Sequence, residues 1–475
     1  MSRDELCWKT ARELAGLIRT NEVSPVEVVE AVLDRIGRVN PALNAYCTVS
    51  APEARETARA AEAAVRRGEA LGALHGVPYS LKDLTATRGI RTTMGSKIYA
   101  ANVPTEDAAL VERLRAAGAV LVGKTNTPEF GCKPATDNRL FGATRNPWSL
   151  AHSPGGSSGG AAAAVAAGLA PLAEGSDLAG SIRHPAAWCG VVGFKPSQGR
   201  IARYPTATGW NAMGVNGPIA RTVADAALMF AAMVGPDPRD PLALPPTGED
   251  WTRVTEEASM PGLRVAWTPD LGGAAMVEPA IAATCAAVVQ KLGGLGWRVE
   301  EASPEIGAIL EPFLALNAVL RQAAVGLYLD EWRAEMDPIL VKRLELGRTL
   351  AATEVSRAEV ARTAYHQRLR RFFERYDVLL TPTTATAALP LDAPWPSVVA
   401  GRPVSQPVDL LIPTLAFNFS GYPAISVPCG FTDDGLPVGL QIAGGWREDA
   451  RVLRAAAAFE AALPWTGRRP PVACV

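Results

Sequence analysis

A serine hydroxyl is a poor nucleophile unless a base sits beside it, and this chain has several glycine-flanked serines but only four histidines. Gly155-Gly156-Ser157-Ser158-Gly159 fits G-x-S-x-G, the turn on which α/β-hydrolases mount their nucleophile. That turn has to follow a strand and open a helix, with an acid and then a histidine later in the chain. Here the preceding residues, Trp148 to Pro154, are a polar, proline-containing loop, and only His184 and His366 come later. His366 falls on an amphipathic helical pattern, where a solvated surface position is expected. A Ser-His-acid triad is therefore disfavoured.

A second short motif, Gly118-Ala-Val-Leu-Val-Gly123-Lys124-Thr125, fits the phosphate-binding pattern G-x-x-x-x-G-K-[ST]. Its four middle residues favour a strand, not a loop that wraps phosphate, and Asn126-Thr127-Pro128 follows in place of a helix, so the match is read as accidental. Three other segments combine better: Gly76-Val-Pro-Tyr-Ser-Leu-Lys82-Asp83, Pro154-Gly-Gly-Ser157-Ser158-Gly-Gly160, and Gly175-Ser-Asp177-Leu-Ala-Gly180-Ser181-Ile-Arg183-His-Pro185. Lys82 stands in an apolar, strand-like run, out of place there unless paired or used. Burial disfavours an ammonium, so such a lysine is a candidate neutral base. Asp83, its neighbour, should point to the opposite face of a strand.

The elements that would position these residues alternate, which indicates an α/β core. Ser24-Pro25-Val26-Glu27 is a capping box opening a helix through Val39. A second helix is expected from about Pro52 to Arg67. Val77–Leu84 reads as a strand, Ala108–Ala117 as a helix, Ala119–Val122 as a buried strand, and Lys124–Gly160 as a long loop. An Ala-rich helix, Ala161–Leu169, a strand near Pro171–Gly175, a short helix from Ser181 and a strand at Val191–Phe194 follow. Further on, strands are expected at Arg264–Trp267, Val378–Leu380, Ala424–Val427 and Gly439–Ile442, a long helix at Glu354–Arg375, and a Pro-rich loop over Pro382–Pro413.

Taken together, the three segments resemble the amidase signature, over a stretch from about Gly72 to Gly199, with Lys82, Ser157 and Ser181 on its catalytic positions. The separations, 75 residues from Lys82 to Ser157 and 24 from Ser157 to Ser181, are those of the family. Gly123-Lys-Thr-Asn126, Thr144-Arg-Asn-Pro147 and Cys189-Gly-Val-Val-Gly-Phe-Lys195-Pro196 agree as well. Nearly the whole chain is similar in length and order, more loosely beyond Thr222, and within the family it resembles bacterial aryl acylamidases and carbamate-cleaving amidases.

The resemblance implies one domain over residues 1–475. Its parts are N-terminal helices (1–70), the signature core (71–200), and a remainder (201–475) that completes the sheet, peripheral helices and pocket loops. The fold implied is a large mixed β-sheet flanked by helices on both sides. It also implies an acyl-enzyme mechanism: Ser181 attacks the carbonyl, and Ser157, held in a cis peptide after Gly156, relays the proton to Lys82. Backbone N–H groups of Leu178, Ala179, Gly180 and Ser181 are the implied oxyanion donors, and Asp177 and Arg183 brace the turn. The family usually shows two glycines before the nucleophile, where this chain has Ala179 and Gly180. An alanine is strained at positive φ, so either Ala179 keeps a negative φ or the turn differs.

The implied substrate is a small amide, anilide or carbamate with an apolar or aromatic part, to be met by Phe130, Trp148, Tyr204, Trp210, Phe417 and Phe419, for which core packing is the alternative. The second reading is the amidase component of a tRNA-dependent amidotransferase. That branch commonly has glutamine where this chain has His184, and a Leu-Asp-Gln-like run where it has Met213-Gly-Val-Asn216.

Composition agrees with an ordinary globular chain: 475 residues, 48% hydrophobic, 20% charged, net charge −1. Near-neutrality gives no electrostatic pull toward nucleic acid or a membrane surface. Seven scattered cysteines without a C-x-x-C argue against a disulfide scaffold or a structural zinc. No cofactor or metal is expected, and intact Lys82, Ser157 and Ser181 argue against a non-catalytic scaffold. The polar start and the short Ala161–Ala173 apolar run give no signal peptide or span, so a cytoplasmic protein, as monomer or homodimer, is expected.

Overall fold

Pro78–Lys82 is buried at every residue, as an interior strand covered on both faces must be. The computed structural model describes residues 1–256 and 258–474 and sets this strand in an eleven-stranded sheet. From edge to edge the strands are Tyr46–Val49, Val120–Thr125, Pro78–Lys82, Leu172–Asp177, Val215–Ala220, Val192–Lys195, Ala424–Phe431, Pro437–Gly444, Val378–Pro382, Arg264–Trp267 and Arg298–Glu301. Pro78–Lys82 runs parallel to both of its neighbours, as does Arg264–Trp267, while the strands between Leu172 and Pro382 pair antiparallel. The sheet is therefore mixed and flanked by helices, as expected.

Helix Gly159–Ala166 is buried along its whole length. An all-apolar helix has no solvent face and belongs in the core. Its first turn docks closely: a Cβ on Gly160 would lie 2.5 Å from the Asn126 backbone nitrogen. The helix thus begins two residues earlier than Ala161 and ends at Ala166, since its glycines are contact residues and not loop.

Several other expectations are corrected. The helix expected from Ser181 starts at Arg183, so Ser181 stays in the turn. The helix opened by Ser24 continues to Leu43 across Pro41. The Pro382–Pro413 segment carries a short hairpin, Val398–Val399 with Arg402–Pro403, a 3-10 turn at Pro407–Leu411, and the start of helix Ile412–Ser420. Strand Val215–Ala220 is hidden in the sequence by Gly217-Pro218. Of its residues, only Ile219 and Ala220 pair with the neighbouring Val192–Lys195 strand, so the missing Pro218 N–H is not called on along that side. Edge strands Tyr46–Val49 and Arg298–Glu301 are four residues each, too short to read, and the second is also polar and largely exposed. Leu310–Trp332 is long and apolar enough to cross a membrane by length and composition. Here its helix, Leu310–Val325, packs against helices Pro338–Thr349 and Ala352–Arg375.

Six cysteines are free, with the Cys285 and Cys429 sulfurs 3.7 Å apart; the Cys474 side chain lies outside the described residues. No group of three or more metal-ligating side chains occurs among the described residues.

Candidate active site

Strand alternation turns Lys82 and Ser80 to one face of the sheet and Tyr79 and Leu81 to the other. The Lys82 side chain is fully buried, and its Nζ donates to Ser157 Oγ at 2.7 Å, Ser158 Oγ at 2.9 Å and Ser176 Oγ at 3.0 Å. Ser157 and Ser158 come from the loop that leads into helix Gly159–Ala166, and Ser176 from the neighbouring parallel strand Leu172–Asp177. The Gly156–Ser157 peptide is cis, as the resemblance implies. Ser158 and Ser176 are additions to the expected set. Ser158 is the second serine of the Gly-Ser run, and Ser176 becomes visible only once strands 78–82 and 172–177 are paired.

Burial pushes the Lys82 ammonium down to about 7, against the opposing pull of the Glu174 and Asp177 carboxylates, with Arg321 adding to the lowering. Asp83 plays no part in that opposition. It faces away and accepts from the Thr93 N–H at 3.1 Å and from the Thr93 hydroxyl. Glu174, unremarkable in the sequence, is the stronger competitor, and its oxygens are occupied by the Lys82 N–H (3.1 Å), the Thr85 hydroxyl (2.9 Å) and Asn216 Nδ2 (2.7 Å).

Ser181 lies on the turn after strand Leu172–Asp177, and its carbonyl accepts from the Ser158 N–H at 3.1 Å. Asp177 holds this turn: Oδ1 accepts from the Gly180 N–H at 2.7 Å and Oδ2 from the Ile182 N–H at 3.1 Å. The Gly180 amide, expected among the oxyanion donors, is thus already bonded. Leu178, Ala179 and Ser181 are left as the candidate amides.

Arg183 grips the same carboxylate with Nε and Nη2, both at 3.1 Å, and reaches Gln441 Oε1 and Asn418 Oδ1 at 2.6 Å each. Both side chains are wholly buried. Burial alone would raise the Asp177 carboxyl; Arg183 outweighs it and holds the group down at about 2. With every guanidinium nitrogen engaged, Arg183 is a brace and not a substrate contact. Arg183→Met leaves Asp177 buried and short of partners. It is expected to destabilise the fold by about 3–5 kcal/mol, read from the denaturant midpoint; a loss below about 1 kcal/mol contradicts the bracing role.

The backbone settles the conformation of Ala179. Gly180 carries the positive φ, at 120°, and Ala179 is absent from the left-handed residues. A Cβ on Gly180 would meet Thr414 Oγ1 at 2.1 Å, and that hydroxyl donates to the Ala179 carbonyl at 2.8 Å. Gly180→Ala therefore displaces the donor-bearing turn. We expect kcat to fall by about 10²–10³-fold, the scale of losing one oxyanion donor, with the variant still folded by circular dichroism. Near-full kcat would show that the turn does not set the donors.

Ser157 and Ser181 open on one cavity of about 540 Å³, lined also by Leu84, Met94, Tyr99, Phe130, Tyr204 and Arg321. Ser181 also borders a second cavity of about 490 Å³, lined by Phe313, Ile339, Arg343 and residues Ser405–Val408 of the Pro-rich segment. Of the aromatic residues expected at the site, Phe130 and Tyr204 line a cavity. Phe417 and Phe419 are core residues, fully buried. Trp148 packs on Phe431 and donates to the Cys189 carbonyl at 2.8 Å, and Trp210 is 79% exposed.

The competing motifs resolve structurally. Lys124 is buried in a strand, its Nζ on Thr87 Oγ1 at 2.9 Å and on the Thr85 carbonyl. His184 stacks edge-on against Trp188 and meets the Gly156 carbonyl at 3.2 Å, and burial holds it down to about 4, so it is neutral. His366 is half-buried between Tyr422 and Trp446, less exposed than the solvated position expected.

A lysine amine that burial brings near neutrality, set among serine hydroxyls that open on a substrate-sized cavity, is chemistry suited to cleaving acyl–nitrogen bonds. The class defined is the amide hydrolases, and known proteins agree. The amidase family model matches residues 27–453. The chain is similar to an acylamidase of Rhodococcus erythropolis, 43% identical over 99% of this chain and 98% of that one. It is also similar to a glutamyl-tRNA(Gln) amidotransferase component of Moorella thermoacetica, 40% identical over 98% of this chain and 99% of that one. Among solved structures, a bacterial aryl acylamidase of the amidase signature family superposes with a TM-score of 0.91 at 33% identity, over 97% of each chain. The chain belongs to the amidase signature family, whose enzymes hydrolyse amide bonds.

Proposed function

We propose that this enzyme is a free-standing amidase that cleaves small amides, including anilides and carbamates, through Ser181, Ser157 and Lys82. The observation that carries the reading is the 2.7 Å contact of Lys82 Nζ with Ser157 Oγ, with Ser157 and Ser181 facing the same cavity. In the neutral amine, two N–H bonds are directed at Ser158 and Ser176, and the lone pair is left for the Ser157 hydroxyl. Ser157 passes its proton to Lys82 and takes the Ser181 proton as Ser181 Oγ bonds to the carbonyl carbon. The oxyanion is received by the amides of Leu178, Ala179 and Ser181. The proton returns through Ser157 to the leaving nitrogen as the C–N bond breaks, and water releases the acyl group by the same route. No cofactor or metal takes part. The enzyme works in the cytoplasm, as monomer or homodimer, without nucleic acid or membrane.

The test is amine release from acetanilide, an aryl carbamate and glutamine by the purified chain. Release from the aryl compounds supports the reading, and release from glutamine alone contradicts it. The amidotransferase reading is favoured by one observation, the 40% identity to a component of such an enzyme over the whole chain. His184 and the Met213–Asn216 run, which differ from that branch, weigh against it. Stable copurification with partner subunits and glutamine-dependent ammonia release would establish it.

A further inference from the structure

We infer that Arg203 binds an anionic group, a carboxylate, on the amine side of the substrate, so that N-acylated amino acids are a favoured substrate class. The inference rests on the Ser181–Ser157–Lys82 reading above in one respect, the assignment of the two cavities. The leaving nitrogen must receive its proton from Ser157, and Ser157 lines the first cavity and is absent from the lining of the second. The amine part therefore lies in the first cavity and the acyl part in the second.

The charge of the first cavity is one-sided. Arg203 and Arg321 line it, and Asp177, the sole acid of its lining among the described residues, is engaged by Arg183. Arg321 is satisfied locally, donating to Asn317 Oδ1 at 3.2 Å and to the carbonyls of Phe130 at 3.0 Å and Gly131 at 3.3 Å. Arg203 is different. Its guanidinium makes no hydrogen bond or ion pair to any described residue; only its backbone N–H is engaged, by Asp240 Oδ2 at 2.8 Å. The Asp240 carboxylate is the acid that acts on Arg203 electrostatically, and its other oxygen accepts from the Leu242 N–H at 2.9 Å. The side chain is half-buried and packs over Gly214, where a Cβ would come within 3.1 Å of Nη1.

An arginine held in a cavity wall with an open fork of donors matches a planar carboxylate in geometry and charge. A bound carboxylate supplies this half-buried guanidinium with the hydrogen-bond partner that no described residue gives it. Asn211 and Asn216 line the same cavity. In the reaction an N-acyl amino acid takes up one water: Ser181 Oγ bonds to the acyl carbon, the C–N bond breaks, the nitrogen takes the proton from Ser157, and the free amino acid leaves before water hydrolyses the acyl-enzyme.

The experiment compares kcat/KM for N-benzoylglycine and N-ethylbenzamide, which differ in the amine-side carboxylate, with succinanilic acid, whose carboxylate is on the acyl side, and acetanilide as neutral reference. A charge-assisted hydrogen bond predicts a preference for benzoylglycine over ethylbenzamide of about tenfold or more. Arg203→Met should bring that ratio to about one, and Arg203→Lys should restore part of it. A ratio near one in the unaltered enzyme, a ratio unmoved by Arg203→Met, or a preference confined to succinanilic acid overturns the assignment. Inactivity toward acetanilide would count against the hydrolase reading instead. The binding of benzoylglycine to Ser181→Ala, weakened or not by Arg203→Met in calorimetry, decides Arg203 independently of turnover and of the variant's effect on chemistry.

Discussion

Ser181→Ala is expected to lower kcat on acetanilide by at least about 10⁴-fold while leaving KM within a few-fold of its starting value. Removing a nucleophile that forms the acyl-enzyme forfeits the covalent route altogether, and what remains is the binding and oxyanion contribution. The fold should be indifferent to the change, because Ser181 is held through its carbonyl, which accepts from the Ser158 N–H and which alanine keeps. Ser157→Ala should fall nearly as far. The two losses should not add in the double variant, since a relay and its nucleophile act as one unit. A residual kcat within 100-fold of the parent enzyme would remove Ser181 from the chemistry.

The second large effect belongs to Lys82. Lys82→Met keeps the length of the side chain and the apolar strand but deletes the base, and is expected to lower kcat/KM by about 10³-fold or more. The pH profile of the unaltered enzyme carries the sign. Burial holds Lys82 down at about 7, below the usual lysine range near 10.4, and in the proposed mechanism the neutral form is the working one. kcat/KM should therefore fall about tenfold per pH unit well below 7, rise through 7, and level off above it. Glu174 and Asp177 pull in the other direction. Glu174→Gln should thus move the midpoint to lower pH, provided that Asn216 and Thr85 still hold the amide. A profile flat from pH 5 to 9 would show that no lysine proton is being moved.

Lys82 is legible in the sequence because it is a charge inside an apolar strand, an inconsistency that folding alone does not explain. Ser157 and Ser181 are legible because each sits in a Gly-Ser turn, and the family spacing ties the three together. Ser176 and Glu174 are not, because their role depends on which strand lies beside 78–82, and the parallel pairing with 172–177 leaves no local mark. Thr414 is further out of reach: it braces Ala179 across 235 residues of chain. The place of Gly180 before Ser181 suggests an oxyanion donor, and only the folded turn reveals that Asp177 has already taken its amide. The aromatic residues mislead for a different reason. Loop position puts Phe417 and Phe419 near the site, but the segment folds into helix Ile412–Ser420, buried on every side. Strand Val215–Ala220 escapes notice because Gly217-Pro218 reads as a turn, while in the sheet a Cβ on Gly217 would lie 2.2 Å from the Phe194 carbonyl. That glycine marks close strand approach.

The most direct test of the account is to label the enzyme with a fluorophosphonate, digest it and locate the phosphonylated residue by mass spectrometry, alongside Lys82→Met. The account predicts one label, on Ser181, formed far more slowly in Lys82→Met. A label on Ser157, the serine of the Gly155–Gly159 motif, or labelling of Ser181 at an unchanged rate without Lys82, would contradict it.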